Sequence, residues 1–134
     1  MARAIRMALD DAGYKPQDID YISLDGAATR EGDVSEVRAI KEVFGDKAKH
    51  IPVSVPKTMF GNLLGASGAV DMIVTILAME HNLIPPTLNL KEIDPECAGL
   101  DFVTGKAREH EIRRALVISR GRAGINAVLT LEKA

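Results

Sequence analysis

Few side chains in this sequence can do nucleophilic, acid–base or metal chemistry near neutral pH: one cysteine, Cys97, and three histidines, His50, His81 and His110. A reactive thiol needs a cationic or imidazole neighbour to lower its pKa, but Cys97 sits in Asp94-Pro95-Glu96-Cys97 among carboxylates. It therefore reads as a structural thiol. The histidines fall in segments expected to be surface turns or helix ends and read as solvated. Metal-ligand spacing, a phosphate-cradling glycine loop and a nucleotide motif are all absent, so no cofactor is expected.

Charge and composition narrow the classes further. The 134 residues carry 17 basic and 19 acidic side chains with no run of like charge, which argues against a nucleic-acid or anionic-membrane partner. A lone cysteine cannot close an internal disulfide and fits a reducing, cytoplasmic setting. Met1 to Asp10 is amphipathic and contains acid, unlike a secretion signal. The longest apolar stretch, Ala66 to Met79, contains Asp71 and is short for a membrane span of about 20 residues.

The elements that must position any site alternate in type. Ile5, Ala8, Leu9 and Ala12 recur at helical spacing ahead of Gly13, predicting a helix over Ala2 to Ala12. Nothing caps its start, which suits a segment of a longer chain. Tyr14 to Asp18 is a turn. Ile19 to Leu24 reads as a strand running into the loop Asp25-Gly26-Ala27-Ala28-Thr29. Asp33 then serves as the expected N-cap, with Glu36 three residues on, for a helix that Gly45 stops.

Ile51 to Val55 is a second strand, followed by the loop Pro56 to Asn62 and a helix from about Leu63 to Glu80. That helix is apolar nearly all round, through Val70, Met72, Ile73, Val74, Ile76, Leu77 and Met79, so it belongs between two layers. Gly65, Ala66, Gly68 and Ala69 would let another backbone approach its first turns. Leu83 to Asn89, with Pro85 and Pro86, is expected to be extended loop. Asp101 to Thr104 is a possible strand, and Ala115 to Arg120 and Ile125 to Leu131 form a β pair across Gly121 to Gly124. Strands alternating with helices and closing on a hairpin imply an α/β fold.

Four segments in this order resemble the C-terminal half of the β-ketoacyl synthases, condensing enzymes with the thiolase fold. They are Gly32-Asp33-x-x-Glu36-x-x-Ala39-Ile40, Lys57-x-Met59-x-Gly61-x-Leu63-Leu64-Gly65-Ala66-x-Gly68-Ala69-Val70, Ile84-Pro85-Pro86-Thr87-Leu88-Asn89, and Ala115-Leu116 with the Gly121 to Asn126 turn. The resemblance covers essentially the whole chain. It implies a mixed, mostly parallel five-stranded sheet with helices on both faces. It also implies that residues 1–134 form one C-terminal ketosynthase domain within a larger, two-half protein.

In that family the C-terminal half carries two catalytic histidines, and the resemblance places them where this sequence has Asp25 and Asn62. A neutral imidazole can donate to the enolate oxygen that forms as carbon dioxide leaves, whereas an ionised Asp25 would repel it. Asn62 can donate but cannot transfer a proton near pH 7. No catalytic residue is therefore expected, while Lys57 and Glu36 are retained from the family's polar network and read as holding loops together. Arg122, Gly121 and Phe60 are the candidate channel and gate residues, Arg122 standing where the family carries a gating Phe.

The stretch Ala115 to Gly121 and the acidic start of Asp25-Gly26-Ala27-Ala28 are more similar to a chain length factor, the non-catalytic partner of a ketosynthase, than to active enzymes. The implied role is to shape the acyl tunnel. Implied partners are a ketosynthase catalytic subunit, or a second copy in a homodimer, and an acyl carrier protein bearing a phosphopantetheine-bound chain. An active 3-oxoacyl-[acyl-carrier-protein] synthase or malonyl-decarboxylating loader, and a purely carrier-docking module, remain alternatives.

Overall fold

The computed structural model describes residues 1–121 and 124–134. Among the described residues three α-helices, α1 (Ala2–Ala12), α2 (Arg30–Phe44) and α3 (Ser67–His81), accompany seven strands: β1 (Tyr21–Ser23), β2 (Pro52–Ser54), β3 (Leu83–Ile84), β4 (Asp101–Phe102), β5 (Arg108–Glu109), β6 (Arg114–Arg120) and β7 (Asn126–Glu132). The main sheet runs β4-β2-β1-β6-β7, parallel throughout except for the antiparallel β6–β7 edge pair. This is the expected five-stranded, mostly parallel sheet.

Strand periodicity puts neighbouring residues on opposite faces. Ile22 pairs in register with Leu116, and both join α1 and α2 in one core with Ile5, Leu9, Val37, Ile40 and Phe44. Tyr21 pairs with Ala115, and both join Ala78 and Met79 of α3 on the other side. Helices therefore cover both faces. The Tyr21 hydroxyl meets Ser54 Oγ at 2.8 Å, and burial pushes its pKa up to about 12.

Three expectations are corrected. The N-cap of α2 is Thr29, whose hydroxyl accepts from Gly32 N at 3.2 Å, and Asp33 lies within the first turn. Leu83 to Asn89 is not all loop, because Leu83 and Ile84 pair antiparallel with Glu109 and Arg108 before the two prolines end the ladder. The third correction concerns α3. It buries Ser67, Asp71, Thr75, Ala78 and Met79, a stripe at i, i+4 spacing that includes its polar residues. Ile73 is 53% and Leu77 47% exposed. Gly68, in its first turn, is pressed close, since a Cβ there would lie 3.1 Å from Ser119 Oγ on β6, whereas Gly65, in the turn before the helix, faces open space.

Candidate functional site

The site forms where β1 and β2 end side by side. Leu24 N bonds Ser54 O at 2.9 Å, so both strands release their loops at one level. The β1 loop turns at once, with Gly26 at φ +54, where a Cβ would meet Val55 Cγ1 at 2.5 Å; only glycine fits. The turn leaves the Asp25 side chain buried.

Lys57, in a short 3-10 turn over Pro56–Thr58, sends its ammonium under that carboxylate. Nζ donates to Asp25 Oδ1 at 2.9 Å and lies 3.4 Å from Asp71 Oδ2 of α3, with all three side chains buried. Asp25 Oδ1 also accepts from Arg120 N at 3.1 Å, which ties the end of β6 to the same carboxylate. Burial raises the pKa of Asp71 against the lowering by Lys57. Neither Asp71 oxygen has a hydrogen-bond partner of standard geometry, nor does Ser23 Oγ. Two carboxylates thus share one cation.

Glu36 approaches from α2. Its Oε1 accepts from Asp25 N at 2.8 Å and Oε2 from Gly26 N at 2.9 Å, so it fixes the loop backbone on which the Asp25 side chain is presented. Desolvation raises its pKa to about 7, opposed by those two N–H groups. Lys57 and Glu36 do not touch each other; Asp25 joins them, by its side chain to one and by its backbone to the other.

Asn62 makes its hydrogen bonds with a different segment, the turn leading into α3. Its Oδ1 accepts from Leu64 N at 2.8 Å and from Ser67 Oγ at 2.9 Å, which leaves the amide N–H groups as its available donors. Leu64 is held at φ +54, a left-handed backbone unusual for a branched residue. Phe60 is partly exposed, as are Met59, Leu63 and Leu64 in the segment leading into α3. Gly121 N bonds Ile125 O at 2.9 Å across the turn, and Arg122 lies outside the described residues.

Cys97 is buried, and burial with nearby Asp94, Asp33 and Glu96 raises its thiol pKa. His50, His81 and His110 lie on other segments, away from the Asp25–Lys57 pair. Two members of the site escaped the sequence reading. Asp71 was visible as the one acid within the apolar run Ala66 to Met79, a signal that such a residue has a buried partner. Arg120, at a strand end, offered none.

Residues 1–91 match the family described as Beta-ketoacyl synthase, C-terminal domain. A 3-oxoacyl-[acyl-carrier-protein] synthase 2 of Staphylococcus aureus is 42% identical over 132 residues, covering 98% of this chain and 32% of its own length. An actinorhodin polyketide beta-ketoacyl synthase 1 of Streptomyces coelicolor is also 42% identical, over 134 residues, 100% of this chain and 28% of that protein. Among solved structures, the ishigamide ketosynthase/chain length factor superposes with a TM-score of 0.94 at 43% identity, covering 99% of this chain and 32% of that one. A type II PKS acyl-carrier protein in complex with its ketosynthase bound to the hexaketide gives 0.95 at 36% identity, with 99% and 32% coverage. The chain spans about a third of the length of these relatives.

Proposed function

The chain belongs to the β-ketoacyl synthase family through its C-terminal domain, and on that premise we propose that it is part of a chain-length-factor-like subunit, paired with an active ketosynthase and shaping its acyl tunnel without doing chemistry. The observation that carries this reading is the buried Asp25–Lys57 ion pair at 2.9 Å, at the strand end where the family resemblance places a histidine. A carboxylate there cannot donate to a developing enolate, and its negative charge opposes the one that decarboxylation creates. Lys57 is held by Asp25 and close to Asp71, so its charge is already committed.

The outward apolar face of α3 supports the larger assembly. Ile73, Ile76 and Leu77, with Phe60, Leu63 and Leu64 before them, make a surface of the kind that marks an interaction site. In this proposal a second half of the same protein covers it, a ketosynthase subunit completes the tunnel, and an acyl carrier protein delivers the chain in the cytoplasm.

The rival is an active synthase or a decarboxylating loader, and the 42% identity to a 3-oxoacyl-[acyl-carrier-protein] synthase 2 supports it as strongly as the polyketide relatives support the first. The two separate on turnover. The full-length protein is assayed with malonyl-loaded carrier protein, alone and with its ketosynthase partner, following carbon dioxide release and product mass. Activity of the pair only, with product length shifted by substitutions at Phe60, supports the tunnel role. Condensation or decarboxylation by the protein alone refutes it.

A further inference from the structure

Beside the Asp25 loop, the ends of β1 and β2 border a cavity of about 340 Å3 that Asp25, Lys57 and Asp71 do not line. Its wall is largely apolar, with Leu24 and Val55 from the strand ends, Val37 from α2, Phe102 from β4, and Leu90 and Ile93 from the segment 88–94. That segment is fastened at both ends. Leu88 N donates to Thr58 Oγ1 at 2.9 Å, and Asp94 Oδ1 accepts from Glu96 N at 2.8 Å. Between them Asn89 turns the chain at φ +63, so the segment bridges the cavity and leaves its interior open. An apolar cavity of about 150 Å3 accommodates benzene, so this one has room for a body of on the order of ten non-hydrogen atoms.

The charged groups of the lining have one sign. Asp33, Glu36, Glu92 and Asp94 line the cavity, and among the described residues no lysine, arginine or histidine does. Glu36 is taken up by the Asp25 and Gly26 N–H groups at 2.8 and 2.9 Å. The other three carboxylates form no ion pair among the described residues. Asp33 Oδ1 is buried without a hydrogen-bond partner, and burial raises the pKa of that side chain. Arg120 acts electrostatically on Asp33, and Lys41 on Cys97 of the wall, yet neither cation lines the cavity, nor does Lys91 of the bridging segment.

This combination selects a class of ligand. An apolar body gains by leaving water for such a wall. A carboxylate or phosphate head would meet carboxylates of its own sign with no cation in the lining to receive it. An ammonium head instead supplies exposed Glu92 and Asp94 with the cationic partner that each lacks.

We propose that this cavity binds a small amphiphilic amine, its aliphatic or aromatic body inside and its ammonium group at Glu92 and Asp94. The inference goes beyond the tunnel reading and holds whether or not the chain does chemistry. Gly26 belongs to cavity and site alike, lining the one while Glu36 fixes its N–H in the other. The occupant therefore touches the loop that presents Asp25.

The test takes the full-length protein and measures binding of octylammonium, octan-1-ol and octanoate by calorimetry, below their micelle concentrations. These probes share a chain length and differ in the head. The expected result is one octylammonium per chain with a Kd tighter than about 1 mM, octan-1-ol at least about threefold weaker and octanoate weaker still. Glu92→Gln/Asp94→Asn brings octylammonium and octan-1-ol to equal affinity, and asparagine still caps the turn over Pro95–Cys97. Ile93→Arg, at a position 42% exposed, weakens octylammonium and strengthens octanoate, a gain that a misfolded variant cannot show. Glu111→Gln, outside the lining, changes nothing. Binding of none of the three probes, the outcome if another part of the full-length protein fills the cavity, overturns the proposal. So does equal wild-type affinity for octylammonium and either other probe, or an octylammonium affinity that neither variant alters.

Discussion

The two faces of the sheet are finished to different degrees. On one, α1 and α2 turn Ile5, Leu9, Val37, Ile40 and Phe44 inward and leave arginines and glutamates outside, so the core closes within these residues. On the other, α3 turns Asp71 and Thr75 inward and leaves Ile73, Ile76 and Leu77 outside. The difference shows how a helix can pack against a sheet through a polar stripe when that stripe serves a buried ion cluster. The apolar side chains are then left at the surface.

The sharpest way to break this comparison is through the cation on which the polar stripe depends. Lys57→Met leaves Asp25 and Asp71 buried together without a counter-charge. The variant is expected to lose about 3–5 kcal/mol in urea unfolding, the cost of stranding one side of a buried pair. On the closed face, Ile40→Ala opens a cavity in the core, with an expected loss of about 2–4 kcal/mol by the same measurement. A loss under about 1 kcal/mol would mean that the α1–α2 core is less tightly closed than described.

Glu36 adds a pH signature. Its pKa rises on folding from 4.5 to about 7, so the folded state binds the extra proton between those values. Stability from this group is full below about pH 4.5 and declines as pH rises towards 7, by on the order of 3 kcal/mol. Glu36→Gln removes the titration and stands in for the protonated carboxyl, so the difference in unfolding midpoint between wild type and variant widens as pH rises over that window, the wild type falling below the variant. The smallest effect belongs to the open face. Ile73→Ser changes the stability of this chain by less than about 0.5 kcal/mol, yet it weakens association with whatever covers α3, measurable by analytical ultracentrifugation of the assembled pair.

What could be read in advance follows the same division. The span of α1 and the stop of α2 at Gly45 were legible because apolar period and glycine placement are local signals, whereas the mostly parallel five-stranded sheet followed from the family resemblance. The inward stripe of α3 was not, because a helix apolar nearly all round has no periodicity to say which side faces the sheet. Thr29 outcompeted Asp33 as N-cap by one turn, a choice set by where the β1 loop ends. At the site, Asp25, Lys57 and Glu36 were named from sequence, but their connectivity was not. Asp71 and Arg120 reach Asp25 and Lys57 from distant segments, and their convergence is a property of sheet order alone.

Strand β7 has one further bearing, on handling the protein. It pairs with β6 along one side only and forms the border of the sheet, and Asn126-Ala127-Val128-Leu129-Thr130-Leu131 contains neither charge nor proline. Its outer row of amide and carbonyl groups is a template on which a second copy can add a strand, the first step of aggregation. Concentrated preparations should therefore precipitate through this border, and Leu129→Lys, at an exposed position, should keep them in solution.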